Sequence, residues 1–228
     1  MRIATWNLQW AAPGTPRHVA IRRQLEEVDS DIVVATECYR TDWDGYPFVV
    51  DAGPDWGYPI LEGRRKVAAW SATPWTDVRT IDTGSTQGRL LVAATVVDEV
   101  EVDVVGVCIP WAAAHVSTGR CDRARWDEHV EFCGEFARVL RSATRRTVVV
   151  GDFNQAIERR RQPVRVYEAL MTALDGYRVV TAGETGVGPL IDHVALGPGL
   201  AATRHMVWPN TIDGRTLSDH AGVAVDVR

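Results

Sequence analysis

Short apolar runs, most of them rich in valine, recur along the whole chain and are separated by Gly, Pro and Asp. Runs of four to eight residues with such boundaries are typical of β-strands. The pattern predicts twelve strands, over residues 3–8, 31–36, 48–51, 67–71, 78–81, 90–97, 102–109, 147–150, 178–181, 191–196, 203–207 and 222–227. Most of the regular structure is therefore expected to be β-sheet.

Three segments place apolar residues at helical spacing, over residues 18–28, 122–141 and 164–174. In the first segment Ile21 and Leu25 fall on one face. Asp122 is predicted to be the N-cap of the second helix, since its carboxylate accepts from free N–H groups of the first turn. Strands and helices do not alternate regularly, which argues against a doubly wound parallel sheet. The pattern favours an α+β protein with two packed, mostly antiparallel sheets and helices on the outer faces.

The composition is that of an ordinary globular protein, with 46% hydrophobic and 24% charged residues among 228. No repeat or linker divides the chain, so we expect a single domain over residues 1–228. The chain has no run of 18 apolar residues and no apolar leader, and its four cysteines lack the spacing of a zinc site or disulfide framework. We expect a cytoplasmic protein that does not enter a membrane. We also expect a monomer, because no long apolar surface helix marks an interface.

The charge is unevenly distributed. The net charge of −5 argues against a protein that coats nucleic acid through bulk electrostatics. Residues 120–165 nevertheless hold eleven Arg against seven acidic residues. Two interpretations of this basic segment stay open. Its arginines either contact the phosphates of a nucleic-acid backbone or form the solvated face of a helix.

Polar side chains stand at or near one end of five predicted strands. They are Asn7, Glu37, Asp152 with Asn154, Asp192 with His193, and Asp219 with His220. If these strand ends meet, their oxygens form a pocket of the kind that binds Mg²⁺. The histidines beside Asp offer proton transfer near neutral pH. Composition and spacing alone go no further than a polar cluster that suits a divalent metal.

The ordered motifs carry a family resemblance. They are Thr5-Trp6-Asn7-Leu8, Thr36-Glu37, Gly151-Asp152-Phe153-Asn154, Ile191-Asp192-His193 and Ser218-Asp219-His220. This set, in this order, resembles the endonuclease/exonuclease/phosphatase superfamily and runs from residue 5 to residue 220. The resemblance implies a four-layer α/β/β/α sandwich. It also implies a hydrolase of phosphoester bonds that depends on Mg²⁺ or Mn²⁺.

The resemblance further implies a role for each matching residue. The metal ligands would be Glu37, Asn7 and Asp219. Asp152 and Asn154 would position the attacking water and contact the phosphate. His220 would be the catalytic histidine, and Asp192 would orient its ring. Whether Asp152 or His220 is the general base stays open. Phosphoester hydrolysis needs charge neutralisation, in-line water and leaving-group stabilisation, and this set of residues supplies all three.

The sequence departs from the family pattern in two places. The phosphate-contacting Tyr or His usual at the end of the middle strand is replaced by Cys108 or Ile109. His115 follows six or seven residues later and is the candidate substitute, from a loop, in the catalytic set. Leu190 stands where nucleases of the family often have Arg. Both departures bear on how substrate is held and leave the metal ligands intact.

The expected partner is a phosphoester substrate, with nucleic acid among the candidates, and a phosphodiesterase or nuclease is the favoured activity. The alternatives are a phosphomonoesterase acting on a small phosphorylated metabolite and a degenerate member that binds phosphate without turnover. Trp10, Trp43 and Trp111 follow predicted strand ends on the pocket side, where an indole can stack on a base.

Overall fold

The computed structural model describes residues 1–81, 84–143 and 146–228. Within these ranges the strands are β1 Arg2–Asn7, β2 Ile32–Tyr39, β3 Phe48–Asp51, β4 Arg64–Ser71, β5 Trp75–Thr80, β6 Leu90–Val97, β7 Val100–Cys108, β8 Thr147–Asp152, β9 Arg178–Val179, β10 Asp192–Leu196, β11 Ala202–Trp208, β12 Thr211–Ile212, β13 Arg215–Thr216 and β14 Gly222–Val227. The helices are α1 Pro16–Val28, α2 Asp127–Arg141 and α3 Val164–Ala173, with a 3₁₀ turn at Gly84–Thr86. No helix in the described ranges is long and apolar enough to cross a bilayer.

Two six-stranded sheets carry the fold. The first has the strand order β11-β14-β1-β2-β4-β3 and the second the order β5-β6-β7-β8-β10-β9. Among the described strands only the pairs β1–β2 and β7–β8 are parallel, and the remaining pairs are antiparallel. The expectation of two mostly antiparallel sheets is confirmed.

Alternation along the strands sorts the apolar side chains into three layers of core. Ile3 and Val104 belong to the cluster between the two sheets. Trp6 points to the opposite face of its sheet, where it joins Leu25 of α1. Phe136 of α2 packs with α3 on the outer face of the second sheet. The layers therefore run helix, sheet, sheet, helices, which confirms the α+β, four-layer α/β/β/α sandwich.

All twelve expected strands are present, with ends shifted by up to three residues, and two features differ further. The short hairpin β12–β13 was not expected, because two-residue strands leave no periodic signal. The assignment of Asp122 as N-cap of the second helix is wrong, since α2 begins at Asp127 after Trp126, whose φ is 74°. Asp122 instead accepts a 3.3 Å hydrogen bond from Arg120. The preceding segment is a loop that folds around His115, to which the Arg123 amide is bonded.

Candidate active site

A cavity of about 180 Å³ lies where ends of the two sheets meet. We call it the catalytic cavity, and its lining residues are Asn7, Glu37, Lys66, Arg89, Cys108, Ile109, Trp111, Asp152, Asn154, Asp219 and His220. Six of the eight site residues expected from sequence are in this lining. Asp192 contacts the cavity through His220, and His115 lies elsewhere.

Asp152 is fixed at the end of β8 by its neighbours in both sheets. Its Oδ1 accepts from the Asn154 amide at 2.8 Å, and its Oδ2 accepts from the side-chain amides of Asn154 at 2.9 Å and Asn7 at 3.1 Å. Gly151 precedes it with φ of 138°, and a Cβ there would lie on the carbonyl oxygen of Val107. Only glycine allows β8 to pass β7 this closely. Burial, aided by the charge of Asp192 and opposed by His220, raises the pKa of Asp152 to about 7.

His220 and Asp192 form a tightly bonded pair. The His220 Nδ1 lies 2.5 Å from Asp192 Oδ2, and β10 pairs with β8 so that Asp192 stands opposite Asp152. Burial alone would lower the pKa of His220, but the charges of Asp192 and Asp152 outweigh it and raise that pKa to about 10. The other carboxylate oxygen, Asp192 Oδ1, is buried without a hydrogen-bond partner among the described residues.

The loop that carries His220 is tied to β1. The Ser218 hydroxyl donates to the Asn7 carbonyl at 2.6 Å and accepts from the His220 amide at 3.1 Å. The Trp6 indole N–H donates to the His220 carbonyl at 2.8 Å. These bonds explain why a Ser-Asp-His run far along the chain is held against Asn7.

Glu37 occupies an irregular position in β2. Its φ is 45°, a left-handed conformation that costs a non-glycine residue on the order of 1–3 kcal/mol. The Trp10 amide, which donates to the Glu37 carbonyl at 2.7 Å, helps to hold it. Lys66 lies opposite on β4, with its Nζ 2.5 Å from Glu37 Oε1. In the described part of the chain the second oxygen, Oε2, has no hydrogen-bond partner.

The donor set around Glu37 fits a hard divalent cation. Glu37, Asp219 and Asn7 line one cavity and offer carboxylate and amide oxygens, which Mg²⁺ and Mn²⁺ prefer. The Asn7 oxygen also accepts from the Gln9 amide at 2.9 Å. Ligand atoms of Asp152, Asp192 and His220 also lie within 4.8 Å of one another. The members of that second group bond to one another and to neighbouring amides. The set around Glu37 suits a metal better because the Glu37 and Asp219 side chains are 23% and 60% exposed, whereas Asp192 is 1% exposed.

Two cationic residues of the cavity were missed by sequence reasoning. Arg89 is only 2% exposed, and its guanidinium makes no hydrogen bond or ion pair with any described residue. A buried cation without a counter-charge is costly, which indicates a position for an anion. Lys66 is the single lysine of the chain. The presence of a single lysine was the one sequence feature that could have indicated a role for Lys66, because its contact with Glu37 depends on the pairing of β2 with β4.

His115 does not reach the cavity, which corrects the expectation that it substitutes for the missing Tyr or His. Its side chain is 0% exposed. Nδ1 accepts from the Arg120 amide at 3.0 Å, and Nε2 lies 3.3 Å from the Trp56 carbonyl and 3.6 Å from Glu128 Oε1. Burial lowers the pKa of His115, opposed by Glu128. Cys108 and Ile109 themselves line the cavity.

His193 also faces away from the cavity, although it neighbours Asp192. Adjacent residues of a strand point to opposite faces of its sheet. The His193 Nδ1 lies 3.0 Å from the Thr181 hydroxyl, and its Nε2 lies 3.0 Å from the Gln155 carbonyl. Burial lowers the pKa of His193 to about 4. This histidine supports the loop after Asn154 from behind.

Only some of the residues expected to contact a nucleic acid lie at the cavity. Trp10 and Trp111 border the cavity region, whereas Trp43 is buried under α1 against Trp70. None of the arginines of residues 120–165 within the described ranges lines the catalytic cavity. Several of them pair with acids, as Arg123 does with Glu131 at 2.8 Å. The cations at the cavity come from outside that segment.

Comparisons with known proteins agree with this fold. A model of the endonuclease/exonuclease/phosphatase family matches residues 4–220. A comparison with curated proteins finds no match. Similar solved structures include an endonuclease/exonuclease/phosphatase from Beutenbergia cavernae, at 20% identity and TM-score 0.72, covering 100% of this chain and 71% of that one.

Two further structures show the range of proteins that share this fold. An AP endonuclease from Archaeoglobus fulgidus has 18% identity and a TM-score of 0.71, with 99% of this chain and 98% of that chain covered. A mannosyl-6-phosphatase from Bacteroides thetaiotaomicron has 17% identity and a TM-score of 0.65, with 100% and 99% covered. At such identities the likeness shows the fold. The match over residues 4–220 shows more, and the chain belongs to the endonuclease/exonuclease/phosphatase family, whose members in general hydrolyse phosphoester bonds.

Proposed function

We propose that this protein is a divalent-metal-dependent phosphodiesterase of the nuclease type. The observation that supports this most is the meeting of His220, Asp152 and Glu37 in one cavity, although they come from the ends of different strands in two sheets. Asp192 behind His220 completes a carboxylate–histidine pair. An acid/base histidine beside an oxygen-rich cation site suits hydrolysis of a phosphate ester.

The metal would be held by Glu37, Asn7 and Asp219. When bound, a divalent cation supplies neutralisation of charge on the phosphate oxygens. Arg89 contributes a second positive charge to the same anion, because its guanidinium borders the cavity and has no counter-ion among the described residues. Guanidinium groups match phosphate oxygens with paired N–H donors.

The proton transfers are assigned to Asp152 and His220. Asn154 donates both its side-chain hydrogens, to the Ile109 carbonyl and to Asp152, so its oxygen is left to orient water. Asp152 takes a proton from the attacking water as the new P–O bond forms. His220, held at Nδ1 by Asp192, donates the proton on Nε2 to the leaving oxygen as the ester P–O bond breaks. The products are a phosphate ester with one substituent fewer and an alcohol.

A phosphomonoesterase is the second candidate function. The catalytic cavity holds only about 180 Å³, and the arginines of the basic segment do not line it. Both observations suit a small phosphorylated metabolite. A monoester substrate releases inorganic phosphate, so the released product distinguishes the two activities.

The test uses bis-p-nitrophenyl phosphate and plasmid DNA with Mg²⁺ or Mn²⁺. We expect hydrolysis that EDTA abolishes and that Glu37→Gln lowers by more than about tenfold, because loss of a metal ligand removes the charge neutralisation. Calorimetric titration with Mn²⁺ should show weaker binding to Glu37→Gln. The matched control is Glu27→Gln, on the exposed side of α1. Equal rates and equal Mn²⁺ affinity in wild type and Glu37→Gln would refute the site. Phosphate release from nucleotides without cleavage of any diester would favour the second candidate.

A further inference from the structure

A second cavity of about 440 Å³ adjoins the catalytic cavity. We call it the aromatic chamber, and the residues that define it are Trp10, Trp56, Tyr58, Arg64 and Trp111. Glu37, Lys66, Arg89 and Trp111 line both cavities. The two cavities therefore share a wall, and a molecule whose phosphate lies in one can extend into the other.

The inner wall of the chamber is a fixed aromatic surface. Trp10 stacks on Trp56 with ring centroids 5.5 Å apart and an angle of 17° between the planes. The guanidinium carbon of Arg64 lies 4.9 Å from the Trp10 ring centre, and the Lys66 ammonium lies 5.3 Å from it. Stacking and cation–π contacts of this kind hold the indole in one orientation. The wall is thus preorganised for a ligand.

Trp111 offers the accessible stacking surface. It lies three residues after the end of β7, at the boundary between the two cavities, and is 50% exposed. Its exposed half gives a ligand in either cavity an accessible aromatic face. Base–aromatic stacking contributes about 1–3 kcal/mol per base and needs such an accessible face.

The charge of the chamber selects an anionic ligand. Arg64, Lys66 and Arg89 face it, and the opposing carboxylate is Glu37, which Lys66 already engages. Arg64 donates to the Tyr39 hydroxyl at 3.0 Å and has no carboxylate partner among the residues that the structure describes. An alkyl chain or an uncharged sugar would offer neither a counter-charge for these cations nor an aromatic face for the rings. A flat aromatic group attached to phosphate satisfies both the rings and the cations.

We propose that the aromatic chamber binds the nucleobase of a nucleotide unit whose phosphate lies in the catalytic cavity. This inference rests on the proposed function for the position of the phosphate. The base stacks on Trp111 against the wall formed by Trp10 and Trp56. Arg64 faces the base or the next phosphate along a chain. The substrate class is accordingly a nucleotide ester rather than a sugar phosphate.

The experiment is a calorimetric comparison of two probes, 5′-AMP and ribose 5-phosphate, which differ by the base alone. Wild-type protein should bind 5′-AMP about tenfold more tightly or better, which matches the stacking contribution. Trp111→Leu should remove most of that preference by weakening the binding of 5′-AMP about tenfold, with a much smaller effect on ribose 5-phosphate. Trp111→Phe, which keeps an aromatic face, should retain part of it.

Equal affinities for the two probes in wild type would overturn the proposal. It would also be overturned if Trp111→Leu weakened both probes alike. Measurable binding of ribose 5-phosphate shows that the variants are folded, so a misfolded variant cannot imitate the expected result.

The binding assay needs no turnover, which keeps the two proposals separate. Base preference without hydrolysis of any diester would support the chamber and contradict the phosphodiesterase. Hydrolysis of bis-p-nitrophenyl phosphate without base preference would do the reverse. A third arm with single-stranded oligoadenylate identifies the source of the base. Tighter binding than 5′-AMP assigns the chamber to a polynucleotide, and equal binding assigns it to a mononucleotide.

Discussion

Two histidine–carboxylate pairs in this molecule have opposite surroundings. His220 and Asp192 stand at the wall of the catalytic cavity, 2.5 Å apart, with Asp152 beside them. His115 and Glu128 are sealed under a loop, 3.6 Å apart. Burial lowers the pKa of both rings, but at His220 the negative charges of Asp192 and Asp152 outweigh burial and raise the pKa to about 10. At His115 burial outweighs the charge of Glu128, and the pKa is lowered.

Accessibility and net neighbouring charge distinguish His220, the acid/base group that we propose, from His115. Arg120 donates to Glu128 at 3.2 Å, so the carboxylate beside His115 already has a cation. His115 also supports the aromatic chamber, since its amide donates to the Tyr58 hydroxyl at 3.1 Å and its ring faces the Trp56 carbonyl. Among the described residues the His220 ring makes one hydrogen bond, to Asp192. The two pairs should therefore respond differently to the same substitution.

The largest expected difference is in turnover. His220→Asn should lower kcat for bis-p-nitrophenyl phosphate with Mn²⁺ by about a hundredfold or more, since a positioned acid/base group supplies about 10²–10⁴. His115→Asn should leave kcat close to the wild-type value, because its ring does not reach the cavity. Steady-state kinetics of the two variants check this. A similar loss of kcat in both variants would contradict the distinction between the two histidine–carboxylate pairs.

The next largest difference concerns two arginines. Arg89→Met should lower kcat/KM by about ten- to a hundredfold, because a hydrogen bond to a charged group contributes about 1.5–3 kcal/mol. Its stability to urea should be equal or higher, since an uncompensated buried charge is removed. Arg120→Met should retain kcat/KM but lower the stability to urea, because it leaves Glu128 buried without its cation. The account fails here if Arg89→Met destabilises the protein and retains activity.

A third prediction isolates the structural role of His115. His115→Ala should lower the free energy of unfolding by about 1–3 kcal/mol, since the Arg120 amide and the buried Trp56 carbonyl lose their partner. Urea unfolding followed by tryptophan fluorescence measures it. His115→Gln, which can restore one hydrogen bond, should recover part of the loss. An unchanged unfolding midpoint in His115→Ala would argue that the ring is not a structural element.

The smallest predicted effect is on the pH dependence of stability. Burial lowers the pKa of both His129 and His193 to about 4, below the ordinary value of 6.5. The unfolded chain therefore takes up protons first as the pH falls, and each histidine removes about 0.7 kcal/mol of stability between pH 7 and pH 6. The effect is absent well above pH 6.5 and saturates below pH 4. His129→Gln should reduce this slope, and an unchanged slope would contradict the buried, neutral state.

The sequence predicted the parts of the site that local motifs carry. Asp152 and Asn154 belong to one tight turn after a strand, so four adjacent residues define their geometry. Ser218 and His220 likewise share a short loop. Lys66 and Arg89 depend on how β4 pairs with β2 and how the sheets pack, which no local pattern encodes. His115 was wrongly assigned to the catalytic set, because its position a few residues after Cys108 and Ile109 does not indicate whether its side chain is buried.

The most direct test of the central claim, that strand ends from both sheets form one divalent-metal site, is an anomalous diffraction map of crystals soaked in Mn²⁺. The account predicts a peak in the catalytic cavity with Glu37 as a ligand and Asn7 and Asp219 around it. The same map from Glu37→Gln crystals should lack that peak. A cavity without manganese, or a peak that persists unchanged in Glu37→Gln, would contradict the account.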